Sequence, residues 1–248
     1  MPIRFGKALI GNKVFCEYQP IVNTLTRDTV FVETLVRHHD ENGNVAYPSS
    51  FIESIANKKL MAYLTQEVFW YTCKQFTDSN QVFSINLPLS AIRDKGTATM
   101  LEIFIRNGNL GERIVFEINE KERNILQQSD IEFLEIVKDL GVRIAIDDFG
   151  TIVSSFDFLD KLSPDFIKLD GSLFNTFNDR LWAKYNIQKI VEYAKDRGMR
   201  TIAEQVDSEE KLDLVLSTQI EMFQGNLHCQ PINPEIGQSI DSIYRLSV

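Results

Sequence analysis

Long apolar runs are absent from the 248-residue sequence, and so is a secretory leader pattern. The apolar stretches are broken by charge within about ten residues, whereas a helix that spans a bilayer needs roughly 20. Residues 1–15 include basic side chains but no apolar segment of leader length followed by a small-residue cleavage site. We therefore expect a protein without a membrane segment, located in the cytoplasm.

Cysteine is also scarce, with three residues that lie far apart: Cys16, Cys73 and Cys229. An odd number of cysteines without a CxxC spacing does not suit a disulfide framework, so we expect buried thiols in a reducing compartment. The sequence also lacks a GxGxxG segment after an early strand, which removes support for a dinucleotide-binding fold.

Basic residues are the minority charge, since 26 Lys and Arg stand against 35 Asp and Glu and give a formal net charge of -9. An acidic protein repels the phosphate backbone, so general electrostatic binding of a nucleic-acid polymer is disfavoured. A small anionic ligand is still compatible with this charge, provided that metal ions or local basic residues hold it.

No linker rich in Pro, Gly or Ser divides the chain, so we expect residues 1–248 to form a single domain. Strand-like apolar runs alternate with amphipathic helical segments. The predicted strands are residues 14–22, 30–36, 82–86, 113–118, 142–147, 166–169, 201–204 and 220–224. The predicted helices are residues 49–76, 129–140, 182–197 and 208–217.

This alternation predicts an α/β fold, and eight strands favour a TIM-like (β/α)8 barrel over a doubly wound open sheet. The connection between the first two strands is short, spanning only residues 23–29. A parallel crossover needs about a dozen residues or more. We therefore expect the first strand to run antiparallel to the second, which is a departure from the regular barrel.

Polar groups that bind metals or transfer protons end almost every predicted strand, where a parallel barrel builds its active site. They are Glu33, Arg37, Asn86, Glu117, Glu120, Asp147, Asp148, Lys168, Asp170, Glu204 and Gln224. Buried carboxylates are costly unless they are paired or bind a metal. For Asp170 a second interpretation is open, in which it caps the helix that follows.

Five of these carboxylates stand against a single lysine, Lys168, and two divalent cations would neutralise the excess negative charge. The five are Glu33, Glu117, Asp147, Asp148 and Glu204. Carboxylate and amide oxygens suit Mg²⁺ or Mn²⁺ rather than zinc, and no His or Cys lies among them. Two such ions about 4 Å apart commonly catalyse displacement at phosphorus. The pattern therefore predicts a two-metal phosphoesterase.

Short motifs in a fixed order show that the sequence resembles the EAL-domain cyclic di-GMP phosphodiesterases of bacteria. They are QPIV at 19–22, ETLVR at 33–37, PSSFI at 48–52, SINL at 84–87, FEINE at 116–120, IDDFGT at 146–151, KLD at 168–170, AEQVD at 203–207 and QG at 224–225. ETLVR stands for the family's EAL-x-R, and the resemblance spans about residues 15–231. It implies hydrolysis of cyclic di-GMP to linear pGpG with two Mg²⁺ or Mn²⁺ ions.

The resemblance also implies a role for each matching position. The residues that match ligands of the first metal are Glu33, Asn86, Glu117 and Asp147. Asp148 matches a residue that reaches the second metal, and Lys168 matches a lysine beside the attacking water. Glu204 matches an acid described as a general base or as a metal ligand.

The remaining matches concern the substrate and one loop. Gln224 matches the residue that orients Glu204, and it counts with Gln19, Leu35 and Arg37 among the substrate-binding positions. Of these, Leu35 and Arg37 match contacts to the substrate's guanine and phosphate. Glu120 matches the acid that fixes the loop after the strand that carries Asp147.

The sequence departs from the family after DDFGT, where Gly-Tyr is usual and Ile152 and Val153 stand instead. A β-branched residue does not easily adopt the positive φ angles that glycine allows. The family's dimer contact lies near this loop, so we expect altered metal affinity or regulation and allow for a homodimer. Gln205 also replaces a usual glycine.

Two other functions stay open at this point. One is a receptor that binds cyclic di-GMP without cleaving it, and the other is an interaction domain that has abandoned the nucleotide and binds a protein. The complete set of acids favours the enzyme over both, because neither alternative needs two metals.

Overall fold

The computed structural model describes residues 14–39, 42–48, 58–150, 156–175 and 180–234. The strands of these residues are β1 (Val14–Asn23), β2 (Thr29–His39), β3 (Val45–Ala46), β4 (Phe83–Asn86), β5 (Ile114–Asn119), β6 (Arg143–Phe149), β7 (Phe166–Leu169), β8 (Arg200–Ala203) and β9 (Met222–Phe223). They form one sheet in the order β1-β9-β8-β7-β6-β5-β4-β2-β3, and β1 also pairs with β2. This extra pairing closes eight strands into a barrel and confirms the predicted TIM-like fold.

The direction of β1 also agrees with the prediction, because β1 pairs antiparallel with both β2 and β9. The other neighbours around the barrel, from β2 through β4 to β9, pair in parallel. A tight turn joins β1 to β2. In it Asn23 Oδ1 accepts hydrogen bonds from the backbone N–H groups of Leu25 and Thr26, and Arg27 has a φ of 66°. So short a turn cannot carry the chain across the barrel, which forces the reversal.

Helices cover the outside of the barrel. Those of the described residues are α1 (Lys58–Gln75), α2 (Leu89–Ile92), α3 (Lys95–Gly108), α4 (Gln128–Asp139), α5 (Phe156–Leu162), α6 (Arg180–Asp196) and α7 (Glu209–Ser217). The 3₁₀ turns are Gly111–Arg113, Glu120–Ile125 and Gly171–Phe174. No helix of the described ranges is both long and apolar enough to cross a membrane.

Sequence patterns located four of these helices. The predicted helix over residues 49–76 is present over its described part, and residues 49–57 lie outside the described residues. Ser208 caps the N-terminus of α7, since its Oγ accepts a hydrogen bond from Lys211 N. The strand β3 and the helices α2, α3 and α5 were not predicted. For α3 the signal was present, because Asp94 caps its N-terminus and Leu101 and Ile105 face the core.

The thiols are only partly as expected. The three cysteines, which all lie in the described ranges, form no disulfide; Cys16 is buried, but Cys73 and Cys229 are half-buried. Cys73 packs against the core at one side of α1, and burial raises the pKa of its thiol to about 12 although nearby Arg113 lowers it.

Candidate active site

Six of the polar residues predicted at strand ends stand next to a layer of apolar side chains. This layer consists of Ile21, Phe31, Val115, Ala145, Phe166, Ile202 and Met222, which are all fully or almost fully buried. In a strand, residues i and i+2 point to the same face. Two residues beyond Phe31, Ala145 and Phe166 stand Glu33, Asp147 and Lys168, and the same step leads to Glu117, Glu204 and Gln224. The apolar layer thus forms the floor of the candidate site.

Lys168 is the centre of this site. Its Nζ lies 2.8 Å from Asp147 Oδ1, 2.9 Å from Glu117 Oε2, 2.9 Å from Glu204 Oε1 and 3.2 Å from Glu33 Oε2. The lysine is completely buried. Burial by itself lowers the pKa of Lys168, but the four carboxylates outweigh this effect and hold the pKa well above its ordinary value. The lysine is therefore a fixed positive charge.

One lysine does not compensate the buried acids around it. Burial, together with the charge of Glu33, raises the pKa of Glu117 to about 8 despite the attraction of Lys168. Burial likewise raises the pKa of Glu204 well above its ordinary value, and the contact with Lys168 only partly opposes this. Both shifts indicate that the site holds more negative charge than its own residues stabilise.

The backbone at Asp147 and Asp148 brings two consecutive acids to one place. Asp148 has a φ of 56°, a left-handed conformation that is rare outside glycine, and the pairing of β6 with β7 shifts register between Ile146 and Phe149. In a regular strand the two side chains would point to opposite faces. Here one carboxylate oxygen from each of Asp147, Asp148 and Glu204 lies within 4.8 Å of the other two.

Two amide side chains complete the cluster from neighbouring strands. Gln224 Nε2 donates a hydrogen bond to Glu33 Oε2 at 2.8 Å, and Asn86 Nδ2 approaches Glu33 Oε1 at 3.4 Å. If these nitrogens face Glu33, the amide oxygens face away from it. Asn86 also lines the adjoining cavity.

The donor set fits divalent cations. It consists of carboxylate and amide oxygens, which suit Mg²⁺ and Mn²⁺. Glu117 Oε1 is buried and has no hydrogen bond of acceptable geometry to any described residue, although Ser84 lies close enough to lower the pKa of this carboxyl group. A buried acceptor without a donor is costly in a folded protein and suits an atom that coordinates a metal.

Glu120 occupies the start of the 3₁₀ turn after β5 and reaches the next strand. Its Oε2 accepts a hydrogen bond of 3.0 Å from the backbone N–H of Gly150, and Arg123 Nη1 contacts its Oε1 at 3.3 Å. Gly150 begins the loop after β6, so this contact has the geometry that a loop-fixing residue needs. The altered residues Ile152 and Val153 of that loop lie outside the described residues.

Two positions expected to bind substrate do not join the acids. Arg37 Nε forms an ion pair of 2.8 Å with Glu17, and its guanidinium group lies over the ring of Tyr47. Gln19 pairs with Glu33 in the β1–β2 register but donates its amide to the carbonyl of Cys229. The third, Leu35, lines a cavity of about 750 Å³ together with Asn86, Glu117, Asp147 and Asp148.

The structure adds one residue that the sequence did not identify and decides the role of another. Asn119 Nδ2 donates a hydrogen bond of 2.6 Å to Asp148 Oδ2. The available signal was its position two residues after Glu117, on the same face of β5. Asp170 accepts a hydrogen bond from Ser172 N and caps the turn Gly171–Phe174, so the capping interpretation holds.

Comparison with known proteins confirms the resemblance seen in the sequence motifs. The family model described as "EAL domain" matches residues 4–231. Cyclic di-GMP phosphodiesterase PdeF of Escherichia coli is 30% identical over 236 residues, which cover 92% of this chain and 31% of PdeF. The chain likewise covers 27% of the Shewanella oneidensis phosphodiesterase PdeB, at 25% identity over 90% of this chain. It therefore spans about a third of the length of these relatives.

Solved structures show the same fold. The crystal structure of an EAL domain protein from Listeria monocytogenes superposes with a TM-score of 0.79 at 24% identity, covering 98% of this chain and 95% of that one. The manganese/cyclic di-GMP complex of Klebsiella pneumoniae BlrP1 gives a TM-score of 0.78 at 23% identity, covering 90% of this chain and 57% of BlrP1. At these identities the likeness establishes the barrel and its strand order.

Proposed function

The chain belongs to the EAL domain family, and from this premise we propose that it hydrolyses cyclic di-GMP to linear pGpG with two Mg²⁺ or Mn²⁺ ions. The observation that carries the proposal is the set of four carboxylates within 3.2 Å of Lys168 Nζ, with Asp148 and Asn86 beside them. An interaction domain would gain nothing from so much buried negative charge, because it destabilises the fold unless cations neutralise it.

The proposed ligands of the first ion are Glu33, Asn86, Glu117 and Asp147, and Asp148 would hold the second. Glu204 is near enough to Asp147 and Asp148 to share an ion with them. When bound, the ions supply charge neutralisation at the phosphoryl oxygens and a lower pKa for the attacking water. The same charge would draw an anionic nucleotide to a protein of net charge -9.

The protein's own groups would orient and activate the water. Lys168 keeps its proton because four acids surround it, so its role would be to donate a hydrogen bond rather than to accept a proton. Glu204 has a raised pKa because of burial, and a carboxylate that binds protons readily suits a general base. The water's proton would pass to Glu204 as the water oxygen forms a bond to phosphorus. The bond between phosphorus and the 3' oxygen would break, and the departing oxygen would take a proton from solvent to become a hydroxyl.

Substrate would occupy the cavity beside the acids. Leu35 lies in its wall, and Arg37 follows two residues later on the same face of β2. To reach a phosphate, Arg37 would have to break its ion pair with Glu17 and form one with the phosphate instead. Gln19 would act through its neighbour Glu33, and Gln224 through its hydrogen bond to the same acid.

The activity assay tests the proposal directly. Purified protein is incubated with cyclic di-GMP and Mg²⁺ or Mn²⁺, and pGpG is measured by chromatography. We expect product from the wild type and none from Glu33→Ala, whereas Glu102→Ala on the outer helix α3 should behave as wild type. Activity that survives Glu33→Ala would refute the assignment of the site.

The same assay separates the alternatives. Micromolar binding of cyclic di-GMP without pGpG would support a receptor, and neither product nor binding would support an interaction domain. The family's dimer contact also leads us to propose that the protein forms a homodimer, and light scattering of the purified protein tests this. We also propose that it acts in the cytoplasm.

A further inference from the structure

The cavity beside the acids contains a carboxylate that the proposed metal site does not use. Glu122 lines this cavity of about 750 Å³, as do Glu117, Asp147 and Asp148. It lies five residues beyond Glu117, in the 3₁₀ turn that follows β5. Pro88 and Ser90, at the start of α2, line the cavity as well. The carboxylate thus belongs to the same cavity as the metal-binding acids but to a different part of its wall.

The backbone of α2 holds Glu122 in place. Leu89 N donates to both carboxylate oxygens, at 3.1 Å to Oε2 and 3.3 Å to Oε1. The Glu122 side chain has no other hydrogen bond to a described residue, and Arg93 interacts with it only through charge. A carboxylate has about four acceptor sites. Much of the acceptor capacity of Glu122 is therefore available to a molecule in the cavity.

Most of the surface that the cavity wall exposes is apolar, although acids and amides line it as well. Leu35, Met61, Leu64 and Val68 contribute apolar side chains to the cavity wall. Burial raises the pKa of Glu122, and the Leu89 N–H and Arg93 only partly oppose this. In such a cavity a flat heteroaromatic ring gains contact with the walls, and a carboxylate selects the ring edge that offers it N–H donors.

Among the nucleobases, guanine presents two adjacent donors, N1–H and N2–H, on its Watson–Crick edge. A carboxylate accepts both at once. Adenine presents an acceptor, N1, beside its N6 donor, so one carboxylate oxygen would face a lone pair. We propose that Glu122 accepts N1–H and N2–H of a substrate guanine and is a specificity residue for guanine over adenine. This inference rests on the proposed function.

The test uses Glu122→Gln, because glutamine keeps an oxygen for Leu89 N but offers an amide donor where guanine also donates. Charge-assisted hydrogen bonds contribute about 1.5–3 kcal/mol, which corresponds to roughly 10- to 100-fold. We expect KM for cyclic di-GMP to rise by about this factor, with kcat near wild type. The preference for cyclic di-GMP over cyclic di-AMP should narrow by a similar factor.

Calorimetry of cyclic di-GMP binding in EDTA provides a readout that does not depend on turnover. We expect Glu122→Gln to weaken this binding by about the same factor as it raises KM. Mn²⁺ affinity and the thermal midpoint should stay at the wild-type values, as they should in the surface control Glu102→Gln. A residue that only supports α2 would not change the choice between guanine and adenine.

The outcomes are distinguishable. If the wild type cleaves cyclic di-GMP and Glu122→Gln keeps the same KM and the same guanine preference, the role of Glu122 is refuted while the proposed function stands. If the wild type cleaves cyclic di-AMP as well as cyclic di-GMP, the role is also refuted. If the wild type neither binds nor cleaves cyclic di-GMP, the proposed function fails and this inference fails with it.

Discussion

The side-chain amide of Asn119 connects the end of β5 to the left-handed residue Asp148. Asn119 Nδ2 donates to Asp148 Oδ2 at 2.6 Å, while its Oδ1 accepts the backbone N–H of Lys121 at 3.0 Å. The second bond fixes which end of the amide faces Asp148. Asn119 therefore helps to orient a carboxylate that the proposal assigns to a metal, and Lys121 Nζ lies 3.6 Å from the same oxygen.

Replacing Asn119 should weaken metal binding without removing a ligand. Loss of a residue that orients a metal ligand typically costs about 10- to 100-fold in metal affinity or activity. We expect Asn119→Ala to lower Mn²⁺ affinity by about this factor, measured by calorimetry, and saturating Mn²⁺ to restore part of the activity. Unchanged Mn²⁺ affinity would show that Asp148 is oriented by other contacts.

Lys168 should be essential to the stability of the metal-free protein. Removing one partner of a buried ion pair costs about 3–5 kcal/mol, and Lys168 is the partner of four acids. We expect Lys168→Met to lower the free energy of urea unfolding in EDTA by at least this amount, with partial recovery in Mg²⁺. Lys189→Met removes an exposed lysine paired with Glu192 and should change little. Equal losses in the two variants would contradict the prediction.

Metal affinity should increase with pH. The pKa of Glu117 is raised to about 8, so in the metal-free protein a cation has to displace a proton at neutral pH. We expect Mn²⁺ affinity to rise from about pH 6.5 to about pH 8 and then to level off. Calorimetry in two buffers of different ionisation enthalpy should detect the released protons. An Mn²⁺ affinity that stays constant with pH, without proton release on binding, would contradict this prediction.

The same shift has the opposite effect on the stability of the metal-free protein. The folded state holds the proton of Glu117 more tightly than the unfolded state, whose carboxyl has its ordinary pKa near 4.5. Glu117 therefore favours folding least at high pH. In EDTA the free energy of unfolding should fall as the pH rises from about 4.5 to about 8, and Mg²⁺ should reduce this fall.

Gln205 should be a site where glycine stabilises the protein. Its φ is 53°, and a left-handed conformation costs a residue with a side chain about 1 kcal/mol. We expect Gln205→Gly to raise the free energy of urea unfolding by up to this amount. The matched control Gln188→Gly, inside α6, should lower it by about 1 kcal/mol, because glycine is a poor helix former. If both variants changed the free energy of unfolding in the same direction, the left-handed conformation of Gln205 would not explain the result.

Much of the fold was predictable because its signals are local. The short loop after β1 predicted an antiparallel start, and the alternation of eight strands with helices favoured a barrel over a doubly wound open sheet; the structure shows both features. The step of two residues from Phe166 to Lys168 places both side chains on one face of β7 through local geometry alone. For β1 the same step runs backwards, from Ile21 to Gln19, because this strand is antiparallel.

The partners of the polar residues depended on the tertiary structure. Local apolar patterns placed Glu117, Asp147 and Glu204 at or near the ends of three strands, and they placed Glu33 within the apolar run of β2. Only closure of the barrel placed all four within 3.2 Å of Lys168, because Glu33 is 135 residues away from it along the chain. Pairing of neighbouring strands also left Arg37 beside Glu17 and brought Glu122 against the N–H of Leu89. Side-chain partners follow from distances in space, and periodicity along one strand does not encode the distance to the next.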